Sequence, residues 1–493
     1  MTERSSGILL HISSLPSRYG IGTLGREAYR FADKLHASGQ KYWQMLPLGP
    51  TSFGDSPYQS FSTFAGNPYF IDLELLAEDG LLEKKDLEGA DWGDDPRYVD
   101  YAKLYAARFP VLRRAFERGY PRDREKVEQF SRENRWVRDY ALFMALKAHF
   151  GMKSWLEWED RDIARHRPEA VQRYEKLLAE DIRFHTYLQY LFFRQWGELK
   201  EYINSLSIQV IGDLPIYVAM DSADVWAEPE FFQLDSQGRP AEVAGVPPDY
   251  FTADGQLWGN PLYDYDRMRA DGFGWWIRRV EGASRLFDVV RIDHFRGLES
   301  YWAVPSGEKT ARNGRWRKGP GMDLVGVLTS WFHGLRFIAE DLGFLTPEVH
   351  QLLSDSGLPG MKVLEFAFDP REPSNYLPHT YTPNCVCYAG THDNETLLQW
   401  EEGAGEETLA CAREYLGAGQ WTPLNWAILR AGMRSVAGLF IAQMQDYLEL
   451  GAESRMNEPG TTGGNWRWRL LPGEVDEKLV EKLARCTRLY GRG

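Results

Sequence analysis

The chain has 493 residues, 43% of them hydrophobic, enough to bury either one large barrel with insertions or two to three ordinary domains. A formal net charge of -14, with no block of Lys or Arg, argues against nucleic acid and anionic membranes as partners. Four cysteines are too few for a secreted disulfide scaffold, and no uncharged apolar run reaches the roughly 20 residues that cross a bilayer.

Residues 1–6 carry no basic stretch and lead straight into an apolar run without a small-residue cleavage site, so the expectation is a soluble, cytoplasmic protein. Aromatic residues make up 14% of the chain, with 18 Trp and 25 Tyr, and flat rings with polar edges are surfaces on which pyranose rings stack. A large interior would use the same rings.

In chain order, short apolar runs rich in β-branched residues fall at 7–11, 42–48, 209–213, 288–293, 336–341, 361–366, 385–393 and 439–446. Near-continuous hydrophobicity fits strands covered on both faces, as in parallel sheets, and the segments between them carry helical periodicity. One helix is well marked: Thr346 precedes Pro347, Val349, Leu352 and Leu353 give an apolar face, and Gly357 ends it. Eight strands alternating with helices, several ending in polar residues, predict an α/β fold, a closed (β/α)8 TIM barrel; an open doubly wound sheet is the alternative.

Two intervals exceed a simple crossover. Residues 70–205 read as an inserted, mostly helical subdomain between the second and third strands. Residues 217–286, between the third and fourth, have a loop composition with aromatics that a solvated loop does not need, which predicts a lid over the barrel mouth. Residues 473–493 are charged and helical in pattern, with no functional reading.

Asp213, Asp293, Glu340 and Asp393 all fall at the ends of predicted strands, where a barrel builds its active site. Glycosidic bond cleavage needs one carboxyl to protonate the leaving oxygen and a second to attack or to activate water. In RIDHFRG, Arg291 stands two residues before Asp293 and shares its strand face, so it is expected to keep Asp293 ionised. Glu340 and Asp341 face opposite ways, and Glu340 is the candidate acid, raised by neighbouring carboxylates. His294, His392 and Asp393 suit hydrogen bonds to sugar hydroxyls.

RIDHFRG, IAEDLG and THDNET resemble the strand-end segments of the α-amylase clan. GILLHISSLPSRYGIGTLG, DSPYQSFSTFAGNPYFID, GDLPIYVAMDSADVW, AGVPPDYFTADGQLWGNPLY and RMNEPGTTGGNWRWR resemble its amylomaltase (4-α-glucanotransferase) branch, in order and over most of the chain. The resemblance implies Asp293 as nucleophile, Glu340 as acid/base and Asp393 as transition-state stabiliser, with Asp213, Arg291, His294 and His392 on the donor side. It places Tyr250, Phe251 and Trp258 on a lid over the acceptor side with Asn465 nearby, and Ser56, Pro57 and Tyr58 on the rim. It implies α-1,4-glucans as donor and acceptor, and neither a cofactor nor a metal. Transfer rather than hydrolysis rests mainly on this resemblance.

Gly20, Gly22 and Gly25 spell GxGxxG, but residues 13–19 separate them from the first strand and the second strand ends without a ribose-binding acid, which argues against a dinucleotide site. No His-Glu-x-x-His spacing supports a metal hydrolase. The remaining alternatives are an α-glucan hydrolase of the amylase type and a noncatalytic carbohydrate binder.

Overall fold

The computed structural model describes residues 4–52, 54–248, 252–343, 345–371, 373–461 and 463–493. Among them are β1 (Ser5–Leu9), β2 (Tyr42–Gln44), β3 (Gln209–Leu214), β4 (Glu242–Val246), β5 (Gln256–Pro261), β6 (Val289–Ile292), β7 (Ser300–Pro305), β8 (Arg315–Lys318), β9 (Arg336–Ala339), β10 (Gly360–Val363), β11 (Cys385–Tyr388) and β12 (Leu439–Gln443). Eight of these form one parallel sheet in the order β10-β11-β12-β1-β2-β3-β6-β9, each matching one predicted apolar run. Chain order around the sheet, with helices between, gives the (β/α)8 barrel.

The ring is laddered everywhere except between its outer strands. There, the Ala339 amide donates to the Pro359 carbonyl at 2.9 Å, and the Asp341 carboxylate accepts from the Met361 amide at 2.6 Å. Asp341 thus faces its neighbouring strand as a structural acceptor, leaving Glu340 to turn the other way. The first and last strands of the chain, by contrast, pair over five residues from Ser5↔Leu439 to Leu9↔Gln443.

Strand ends are shorter than their apolar runs. The second strand stops at Gln44 rather than Leu48, and Pro47, which lacks an N–H, cannot extend a ladder. The helix from Pro347 to Ser356 closes at Gly357 in the left-handed region, φ 66°, as the sequence marks it.

Residues 70–205 contain helices Tyr101–Glu133, Trp136–His149 and Ala179–Ser205. Gln189 exchanges two hydrogen bonds with the Gly66 backbone, at 2.8 and 2.9 Å, which ties the last helix to the segment after β2. Buried Lys147 reaches Asp221 beyond β3 at 2.5 Å. A second, antiparallel sheet, β5-β4-β7-β8, stands over the mouth. It draws two strands from 217–286 and two from the segment after β6.

Aromatic excess goes mainly into the interior: Trp43, Trp158, Trp196, Trp226, Trp275, Trp276 and Trp468 are fully buried. The glycine run has a packing explanation as well. A Cβ at Gly25 would lie 2.0 Å from the Asp72 carboxylate, which also accepts from Thr23 Oγ1 at 2.6 Å. A carboxylate therefore stands where a phosphate would approach. The four cysteines are unpaired. No helix among the described residues is long and apolar enough to cross a membrane.

Candidate active site

Strand register assembles the carboxylates. Asp213 on β3 lies opposite Arg291 on β6, and Ile292 lies opposite Ala339 on β9. Asp293 and Glu340 are the next residues along, so they emerge side by side at the C-terminal rim, their amides donating to the carbonyls of Leu214 and Ile292.

Arg291 is the hub. Its Nη1 donates to both oxygens of Asp213, at 2.7 and 2.6 Å, and to Asp293 Oδ1 at 3.0 Å. The Tyr58 hydroxyl donates to Asp213 Oδ2 at 2.6 Å, and burial together with Asp213 raises that phenol's pKa, so it remains a donor. Asp213 is wholly covered, whereas the Asp293 side chain keeps 25% of its exposure at the mouth.

Glu340 accepts the His294 amide at 2.7 Å on one oxygen and the Leu342 amide at 2.8 Å on the other. His294 can aim its N–H that way because its backbone is left-handed, φ 52°, uncommon for a residue with a side chain. Its ring meets Trp258 edge-on at 4.9 Å, and burial lowers its pKa to about 3, so the imidazole is neutral.

Electrostatics differ from the sequence expectation. Burial pushes the Asp293 carboxyl well above the ordinary value, and Asp213, Glu340 and Asp393 add to the rise against the opposing pull of Arg291. Arg291 is shared with Asp213, so it does not hold Asp293 low. Glu340 is raised as expected, but burial rather than its neighbours is the main cause, with Arg291 and the two amide bonds opposing. One cation facing four carboxylates favours a proton retained by the Asp293–Glu340 pair.

Asp393 comes from the loop after β11. Its Oδ1 lies 3.3 Å from His392 Nε2, and burial, the largest influence, lowers the His392 pKa. The His392 ring stacks on Tyr58 at 5.2 Å and 12°. Ser56 serves that arrangement indirectly: its hydroxyl accepts the Tyr58 amide at 3.2 Å, in the turn that presents the tyrosine.

Trp258 sits on β5 of the overlying sheet, and Gln59 from the rim donates to its carbonyl at 3.5 Å and to Asn260 at 3.2 Å. Tyr250 and Phe251 lie outside the described residues. Asn465 folds back on its own loop, accepting the Glu458 amide at 3.1 Å and donating to Thr461 at 3.0 Å. The asparagine that reaches the site is Asn457, whose Nδ2 donates to Asp393 Oδ1 at 2.7 Å. It lies within RMNEPGTTGGNWRWR, but composition alone does not tell which of two asparagines in one loop turns inward. Gln44 and Tyr388, bonded across the barrel interior at 2.8 Å, also escaped sequence reading. No group of three His, Cys, Asp or Glu arranged to hold a metal ion occurs among the described residues. The arrangement offers two half-buried carboxyls whose pKa values are raised, a third carboxylate with one tethered oxygen, and neutral imidazoles.

Residues 10–474 match a family model described as 4-alpha-glucanotransferase. A 4-alpha-glucanotransferase of Thermus thermophilus is 50% identical over 492 residues, covering 97% of this chain and 97% of that protein. One of Clostridium butyricum is 47% identical over 486 residues, covering 98% of this chain and 100% of the relative. Among solved structures, the amylomaltase from Streptococcus agalactiae in complex with acarbose is similar over 100% of both chains, with a TM-score of 0.97 and 45% identity.

Proposed function

The chain belongs to the 4-alpha-glucanotransferase family, as an enzyme of that type that transfers glucan segments, and from that membership we propose a retaining double displacement through Asp293. In the first half, the Asp293 carboxylate attacks the anomeric carbon of an α-1,4-linked donor while Glu340 gives its proton to the glycosidic oxygen. The C–O bond to the leaving glucan breaks as the ester bond to Asp293 forms. In the second half, the 4-hydroxyl of an acceptor glucan or glucose attacks the same carbon, Glu340 takes the proton back, and the ester breaks. Asp393, His392 and His294 bind sugar hydroxyls, with Asp393 stabilising the charge that develops on the ring.

The observation that carries this reading is the convergence of Asp213, Asp293, Glu340 and Asp393, from four strands, on one rim, with Arg291 bonded to the first two. Isolated acids at strand ends would be caps; a cluster that raises its own members' pKa values costs stability and fits a site that needs a proton donor. Trp258 over the mouth supports transfer over hydrolysis, because a covered ester meets a bound acceptor more often than bulk water. The amylomaltase from Streptococcus agalactiae is solved in complex with acarbose, which supports a ligand of that kind for this chain.

Incubation with maltotriose is the test. The reading requires glucose plus a ladder of longer oligomers; products no longer than maltotriose would make the protein a hydrolase instead. Asp293→Asn separates enzyme from binder, since turnover is expected to vanish while glucan affinity remains.

A further inference from the structure

We propose that Asn457, backed by Arg455, is a positioning residue that fixes the Asp393 carboxylate for reaction. The inference rests on Asp393 acting in the displacement described above.

Asp393 stands on a loop, with its side chain 44% exposed. An aspartate so placed samples several rotamers unless it is tethered, and a group that must meet a developing charge loses effect when it has to reorganise. Two contacts converge on one of its oxygens: Asn457 Nδ2 donates to Oδ1 at 2.7 Å, and His392 Nε2 lies 3.3 Å from that atom. Among the described residues no donor reaches Oδ2, the oxygen left for the sugar.

The tether is itself held. Arg455 Nη2 donates to the Asp393 carbonyl at 3.1 Å, and its Nε donates to the Asn457 carbonyl at 2.9 Å, so one guanidinium fixes both backbones that the amide bridges. Its Nη1 lies 3.7 Å from Glu395, two residues beyond Asp393.

The loop carrying Asn457 does not depend on this contact for its own shape. Trp466 N donates to the Met456 carbonyl at 2.7 Å, Tyr101 Oη to the Trp466 carbonyl at 2.8 Å, and Ser14 Oγ to the Trp468 carbonyl at 2.8 Å. With those anchors in place, the side-chain amide serves Asp393 rather than the fold.

Turnover of maltotriose by Asn457→Ala and Asn457→Asp, each alone and combined with Asp393→Asn, tests this. The expected result is a kcat lowered about 10- to 100-fold, the range for losing a hydrogen bond to a charged group, with KM within about twofold and an unchanged melting temperature. Asn457→Asp keeps the shape, removes the donor and sets a second carboxylate against Asp393 Oδ1, so its kcat is expected to fall at least as far as that of the alanine variant, and it carries the test if the alanine variant folds poorly. In the Asp393→Asn background, either substitution should add little to the residual loss. Undiminished kcat in both single variants, or an equal loss with and without Asp393→Asn, overturns the inference. If Asp393→Asn alone leaves turnover intact, the displacement reading itself fails.

Discussion

Arg291 joins two carboxylates through one nitrogen while the side chain is 4% exposed, so its charge is committed on both sides. Removing it strands buried Asp213 and leaves Asp293 without the cation that pairs with it. Arg291→Met is therefore expected to lower stability by about 3–5 kcal/mol, as for other broken buried pairs, read by urea unfolding. It should also displace the pH profile. Arg291 pulls the Asp293 pKa down against burial, so without it the carboxyl protonates at higher pH, and the acid limb of kcat/KM moves to higher pH. A limb that stays in place would show that Asp293 is not the group titrating there. Much of this was legible in RIDHFRG, because two residues along a strand share a face. What the spacing does not show is that Asp213, 78 positions away, makes the shorter bonds to the same nitrogen, at 2.7 and 2.6 Å.

At the scale of elements, the eight barrel strands were readable because burial on both faces leaves few polar interruptions. The sheet over the mouth was not. β8, Arg-Trp-Arg-Lys, is mostly exposed and has no apolar alternation, so only its pairing with β7 makes it a strand. Loop anchors also stay hidden in sequence. Asp446, in the short helix Met444–Tyr447 that follows β12, accepts the Leu397 amide at 2.9 Å and so fixes the far end of the loop that carries Asp393. Its carboxyl is fully buried, and burial pushes it up to about 7. The folded pKa lies above the unfolded value, so this stability is fully present below about pH 4 and is lost as pH rises through 7, on the order of 4 kcal/mol in all. Asp224, also raised to about 7 by burial, acts with the same sign. Asp446→Asn keeps an oxygen for Leu397 and cannot ionise. Its melting temperature should fall less between pH 5 and pH 8 than the wild type's; equal falls would assign the pH dependence elsewhere.

Across the whole molecule, residues 473–493, read as helical but without a function, form the helix Glu477–Leu489 and gain a structural role. Arg492 is fully buried beneath the barrel and donates to the carbonyls of Met433 at 2.6 Å, Ser5 at 2.8 Å, Ser435 at 2.9 Å and Ala437 at 3.0 Å. Arg4 reaches Met433 and Ser435 from the other side, at 2.8 and 2.9 Å. These bonds bind the start of β1 to the approach to β12, under the two strands that join the ends of the chain. Arg492→Ala should cost about 3 kcal/mol or more, since several buried carbonyls lose a charged donor, measured by thermal unfolding. Turnover per folded molecule should be unaffected, because the substitution lies at the opposite end of the strands from Asp293. A fall in kcat at full folding would contradict that separation.

The uneven seam of the ring decides how the chain can be cut. Its two ends are zipped together over five residues, whereas β9 and β10, close neighbours in sequence, form no ladder among the described residues and are bridged from Ala339 to Pro359, just ahead of β10. Two fragments divided there would be joined along the barrel sheet by the β1–β12 ladder alone, whereas a break in any other barrel connection leaves two ladders between the pieces, so a split enzyme cut at this seam should reassociate more weakly than one cut elsewhere.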